Sequence, residues 1–140
     1  MSRASREAAD RIHSASIHLL RRVAREDVAA GVSAARLSAL SVLVFAGPKT
    51  VSELAVMERV KVPTMSRLVA GMEAEGYVRR ERHRTDGRAV VLHATAKGRR
   101  TLERARELRL SMLEELLARA SPGELETVRA AADIVDRLVL

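Results

Sequence analysis

Three hydroxyl and cationic side chains, Thr64, Ser66 and Arg67, stand just ahead of an apolar series that includes Leu68, Val69 and Met72. This spacing predicts a helix over residues 63–75 with a polar opening turn and an apolar inward stripe. A helix of that kind can lay its start in a groove of DNA. It is followed by Tyr77-Val78-Arg79-Arg80-Glu81-Arg82-His83-Arg84-Thr85-Asp86-Gly87-Arg88-Ala89-Val90-Val91-Leu92-His93. That run reads as two strands around an Asp-Gly turn, because glycine accepts the positive φ that tight hairpins require. Arg84 and Arg88 lie nearest its tip. Guanidinium and hydroxyl groups bond phosphates and base edges, so a groove-entering helix beside an arginine-bearing hairpin reads as a DNA-reading device. Alternation along the strands spreads the hairpin arginines over both faces. Only some are therefore expected to touch a duplex, while the others keep an exposed hairpin soluble.

Other chemistry is thin. His13 and His18 are out of phase on a helix, and no convincing ligand cluster includes His83 or His93, so no metal is expected. The first two histidines read as polar groups near an intersubunit region, or in the wall of a pocket if one exists. Met57, Met65, Met72 and Met112 fall at core-like spacing and read as packing residues. No phosphate loop, nucleophile elbow or supported carboxylate pair is present, so no catalytic residue and no cofactor is expected. The chain contains no cysteine, which excludes disulfides, thiolate metal sites and thiol redox sensing.

A length of 140 residues suits one domain with a real core. A net charge of +7 favours a polyanionic partner. Aromatic residues make up 1% of the chain, and the dominance of Ala, Leu, Arg, Val and Glu favours helices over strands. No uninterrupted apolar run approaches the roughly 18 residues that span a bilayer, and no apolar signal core opens the chain. The expected location is cytoplasmic.

The helix and hairpin need supports, and the remaining chain supplies them. Residues 6–26 fit an amphipathic helix with Ala8, Ile12, Ala15, Leu19 and Val23 on one stripe. Ile17 and Leu20 widen the apolar surface beyond one-sided packing, so a second subunit is expected to cover it. Ser33 is placed to cap a helix to about residue 46, with Leu37, Leu40, Val44 and Phe45 inward and Gly47-Pro48 as its stop. Thr50-Val51-Ser52-Glu53 has the capping-box pattern and starts a short helix over residues 51–58, with Leu54 and Ala55 inward. Pro63 suits the first turn of the next helix, and Gly76 is its stop. Strands are expected over residues 77–82 and 89–94. Thr95 then caps a long helix to about residue 120, and Ser121-Pro122-Gly123-Glu124 opens a last one.

These pieces in this order resemble the MarR family of winged helix-turn-helix transcription regulators. The resemblance rests on Thr50-Val51-Ser52-Glu53-Leu54-Ala55, Pro63-Thr64-Met65-Ser66-Arg67-Leu68-Val69, Glu73-Ala74-Glu75-Gly76-Tyr77-Val78-Arg79-Arg80, Asp86-Gly87-Arg88 and Leu92-His93-Ala94-Thr95-Ala96-Lys97-Gly98. It implies a mainly α fold, a two-stranded β-wing, and a helical dimerisation region built from both termini. In domain terms it implies a single MarR-like unit, with residues 1–30 and 96–140 forming the dimer region and 31–95 the DNA-binding lobe. The implied function is a homodimeric, sequence-specific regulator, most often a repressor, bound to a pseudo-palindromic operator of double-stranded DNA.

Carried onto this sequence, the resemblance puts Thr64, Ser66 and Arg67 at the start of the recognition helix. Asp86 and Arg88 match the Asp-x-Arg of the family's wing, where the Arg reaches the minor groove or its phosphates. Asp86 is assigned to orienting the wing, since a carboxylate is repelled by phosphate, and Arg84 is a candidate contact by its place near the hairpin tip. Lys61 stands where many relatives have a capping Ser or Thr. This substitution forgoes a cap worth about 1 kcal/mol and sets a cation where phosphates should pass. Many members release DNA when a small phenolic or aromatic molecule binds between dimer region and lobe. A small-molecule effector is thus a further partner to test, although few aromatic side chains are available to stack on one. Two other readings stay open: a sequence-indifferent architectural nucleic-acid binder, and a winged-helix protein-interaction module.

Overall fold

The computed structural model describes residues 2–82, 85, 87 and 89–139. Its elements run α1 (Arg3–Ala29), α2 (Ala34–Phe45), α3 (Val51–Met57), α4 (Val62–Ala74), β1 (Val78–Arg82), β2 (Val90–Ala94), α5 (Ala96–Leu117) and α6 (Pro122–Val139). The mainly α fold with a two-stranded wing is as the sequence implies. Caps set most boundaries. The Ser33 hydroxyl accepts from the Arg36 N–H, and the Thr50 hydroxyl from the Glu53 N–H at 3.2 Å, while the Glu53 carboxylate accepts from the Thr50 N–H at 2.7 Å. Ser121 and Glu124 form the same reciprocal pair at the start of α6. Their bonds hold the Glu124 carboxyl below its ordinary pKa, with the backbone donor making the larger contribution. Helix α1 starts earlier than expected because Ser2 caps it, its hydroxyl accepting from the Ser5 N–H.

The main core lies where α2, α3, α4 and the wing meet. Leu40 and Leu43 of α2, Leu54 of α3, and Met65, Val69 and Met72 of α4 are buried together with Val78 and Leu92. β1 and β2 pair antiparallel with Val78 opposite Ala94 and Arg80 opposite Leu92. Lys49 adds a bridge, exchanging backbone bonds with Leu92. This extra rung was not anticipated from the sequence.

Two expected core residues are not in the core. Phe45 is 79% exposed, because it ends α2 and lies over the groove between α2 and α5 rather than toward α4. Met57 is 47% exposed. It closes the short α3 and lies with Lys49, Ser52 and Val56 on the outer side of that helix.

The long helices are packed differently. Asp27, near the end of α1, is only 5% exposed. Its Oδ1 accepts from both Arg109 Nε at 2.7 Å and Nη2 at 2.6 Å, so one ion pair ties the end of α1 to α5. Elsewhere α1 leaves Ile12, Ile17, Leu19 and Leu20 exposed, and α6 has no buried residue. No single helix among the described residues is long and apolar enough to cross a membrane.

Wing and α5 are joined at one tight point. Thr95 Oγ1 accepts from the Gly98 N–H at 3.0 Å and donates to the Gly76 carbonyl at 2.6 Å. A Cβ at Gly98 would lie 2.2 Å from the Tyr77 carbonyl oxygen and 3.0 Å from Leu40. The first neighbour is backbone, so no rotamer change relieves the clash. Gly98→Ala is expected to destabilise the chain by about 3 kcal/mol, toward the upper end for overpacking. Denaturant unfolding checks this, and a wild-type midpoint contradicts the packing described.

Candidate nucleic-acid interface

Helix α3 is anchored by buried Leu54 and Ala55, and its end delivers the chain to α4. The turn is a Schellman arrangement: the Val60 N–H donates to the Ala55 carbonyl at 3.0 Å and the Arg59 N–H to the Val56 carbonyl at 3.1 Å. The left-handed residue in such a turn is usually glycine, yet here it is Arg59, with φ 55°. Nothing in the sequence reading singled Arg59 out. Its signal was the missing glycine between two short helical patterns.

Helix α4 begins with Lys61 as N-cap, and no side chain caps it. Lys61, Thr64 and Arg67 are exposed and Ser66 is half-buried, whereas Met65, Val69 and Met72 face the core. Leu68, expected inward, is half-buried against that core. Arg67 Nε reaches back to the Pro63 carbonyl at 3.4 Å, so its guanidinium lies along the first turn of the helix. Lys61, Thr64, Ser66 and Arg67 thus share the same end of α4. Among the described residues no carboxylate pairs with Lys61, Arg59 or Arg67.

The strand arginines differ. Arg79 is held by Glu81 at 2.6 Å and Arg80 by Glu73 of α4 at 2.9 Å. These two guanidinium groups brace the hairpin on itself and on α4. The tip residues Arg84, Asp86 and Arg88 lie outside the described residues. On the other side of α2, a groove of about 540 Å³ runs against α5. Val44, Phe45, Arg99, Glu103, Arg106 and Arg109 contribute to its lining.

A short helix, a turn, a second helix with a polar exposed start, and a hairpin braced on that helix make a winged helix-turn-helix. Residues 30–89 match the model of the MarR family. An HTH-type transcriptional regulator of Mycobacterium bovis is 35% identical over 125 residues, spanning 89% of this chain and 87% of the relative. The chain belongs to the MarR family. It is a transcriptional regulator of that family, built on a DNA-binding winged helix-turn-helix. A MarR family protein from Bacillus stearothermophilus shares the fold, with a TM-score of 0.83, 24% identity, and coverage of 98% of this chain and 96% of that one. A Staphylococcus aureus MepR mutant, solved bound to an oligodeoxyribonucleotide, superposes with a TM-score of 0.74 at 17% identity, covering 94% and 97% of the two chains.

In this MarR protein the left-handed Arg59 costs about 1–2 kcal/mol relative to a residue without a Cβ. Arg59→Gly is therefore expected to raise stability by roughly 1 kcal/mol, read as a higher thermal or denaturant midpoint. A fall in midpoint means that the arginine side chain has stabilising contacts beyond those described.

Proposed function

We propose that the protein acts as a homodimeric, sequence-specific repressor on a pseudo-palindromic operator, with Lys61, Thr64, Ser66 and Arg67 at the major groove. One observation carries this reading. The polar, cationic end of α4 is exposed and free of carboxylate partners among the described residues, while the opposite stripe is buried. In this reading Arg67 pairs with a base edge, where its planar fork fits guanine. Thr64 and Ser66 bond phosphates or base edges, and Lys61 neutralises a phosphate beside the uncapped helix start. Arg84 and Arg88 of the wing reach the minor groove or its phosphates, and Asp86 orients the wing. The role is binding rather than catalysis, and its setting is the cytoplasm.

Support for the dimer comes from α1 and α6. A helix that buries no side chain within its own chain, as α6 does, needs a partner to remove Leu125, Val128, Ile134, Val135 and Leu138 from water. Residues 1–30 and 96–140 are assigned to that dimer region and 31–95 to the DNA lobe, within a single MarR-like unit. The groove between α2 and α5 lies at the junction of the two regions and is the place assigned to an effector.

The first test measures binding of the purified protein to its own upstream duplex and to a scrambled one, at two salt concentrations, with molar mass in solution determined alongside. A dimer that prefers the upstream duplex supports the reading. Equal affinity for both, collapsing with salt, replaces it with a sequence-indifferent binder, and a monomer removes the assignment of α1 and α6. Within the specific complex, Arg67→Ala is expected to cost about 1–3 kcal/mol and relax discrimination. Lys61→Ala is expected to weaken both duplexes alike and to lower the salt slope by about 1. Unchanged affinity in a folded Arg67→Ala dimer removes the base contact.

A further inference from the structure

Glycine weakens a helix interior relative to alanine, so Gly71 within α4 calls for a local reason. The reason is Arg36. A Cβ on Gly71 would lie 2.9 Å from Arg36 Nη2 and 3.7 Å from its Cζ. The guanidinium thus crosses α4 directly over the glycine. Beyond it, Arg36 Nη1 bonds Glu75 Oε1 at the C-cap of α4. Arg36 belongs to α2, far away in sequence, and the pair is the charged link between these two helices among the described residues. The same helix end is gripped from α5, where Lys97 Nζ donates to the Glu75 carbonyl at 2.6 Å and sits 5.0 Å from the Tyr77 ring centroid. Side chains 26% and 42% exposed form a pair that adds little stability. Its value is geometric. It holds the far end of a helix whose near end must meet base edges, and a small tilt there displaces every contact at once.

We propose that Arg36 is a positioning residue for DNA reading, a strut that passes over Gly71 to Glu75 and sets the angle at which α4 is presented. This rests on α4 being the DNA-reading helix.

The test uses the full-length protein, its upstream duplex and a scrambled duplex, with amide hydrogen exchange across residues 68–77 as a readout independent of DNA. Arg36→Gln is expected to lower the upstream-to-scrambled affinity ratio roughly tenfold, about the discrimination of one bidentate base contact. It should leave the melting temperature nearly unchanged and speed exchange at the end of α4. Arg36→Lys is expected to recover part of the ratio. Gly71→Ala should displace the guanidinium while improving helix propensity, so that stability rises and discrimination falls. A folded Arg36→Gln protein with wild-type ratio and wild-type exchange overturns the strut. If Arg36→Gln does not fold, Gly71→Ala decides, and a stabilised protein with the wild-type ratio overturns it. If the wild type itself does not distinguish the duplexes, the functional reading fails separately. Exchange then judges the strut alone: unchanged protection in Arg36→Gln overturns it, and faster exchange confined to the end of α4 supports it.

Discussion

Burial of Met65, Val69 and Met72 against Leu40, Leu43 and Leu54 is the interaction on which the DNA lobe depends. Each such side chain contributes about 1.5–3 kcal/mol when removed from water, whereas an exposed ion pair contributes about 0–1 kcal/mol. The apolar stripe therefore decides which face of α4 is inward, and no surface charge can overrule it. With that face settled, the helical period carries Thr64 and Arg67 outward. The polar contacts act at a finer level. Arg36, Lys97 and Arg80 grip the later part of α4 or the residues that follow it, and they adjust its angle rather than its face.

The wing depends on the same core through a different device. Val78 and Leu92 enter the core from opposite strands, so the hairpin cannot slip by one residue without turning both to solvent. Thr95 and Gly98 then join the strands to α5 with almost no free space. That junction links the lobe to a long helix tied to α1, past its middle, through Asp27 and Arg109. The chain is thus two packing regimes in series. The lobe is compact around aliphatic side chains, and the helical region holds together within one chain through a small cluster around Val32 and Ala105 and a partly buried ion pair, while leaving much apolar surface outward.

The sequence by itself determined the order and kind of the elements. Thr50, Ser33, Thr95 and Ser121 mark helix starts because their hydroxyls complete backbone bonds within the same few residues. Gly76 marks a helix end because its φ of 78° suits a residue without a Cβ. The apolar period of α4 likewise announced its buried face. All of these are local effects, and local effects are written in neighbouring residues. Phe45 and Met57 fall short of that rule: their spacing suited a core, but each closes its helix at the edge of the core. Only the tertiary structure decided the partners of Asp27, Arg36, Gly71 and Lys49, since each depends on which distant element lies alongside. An aspartate near a helix end reads as exposed until Arg109 is brought to it. A glycine in a helix reads as a weakness until Arg36 is seen crossing it, because charge pairing and close approach are set by distance in space and not along the chain.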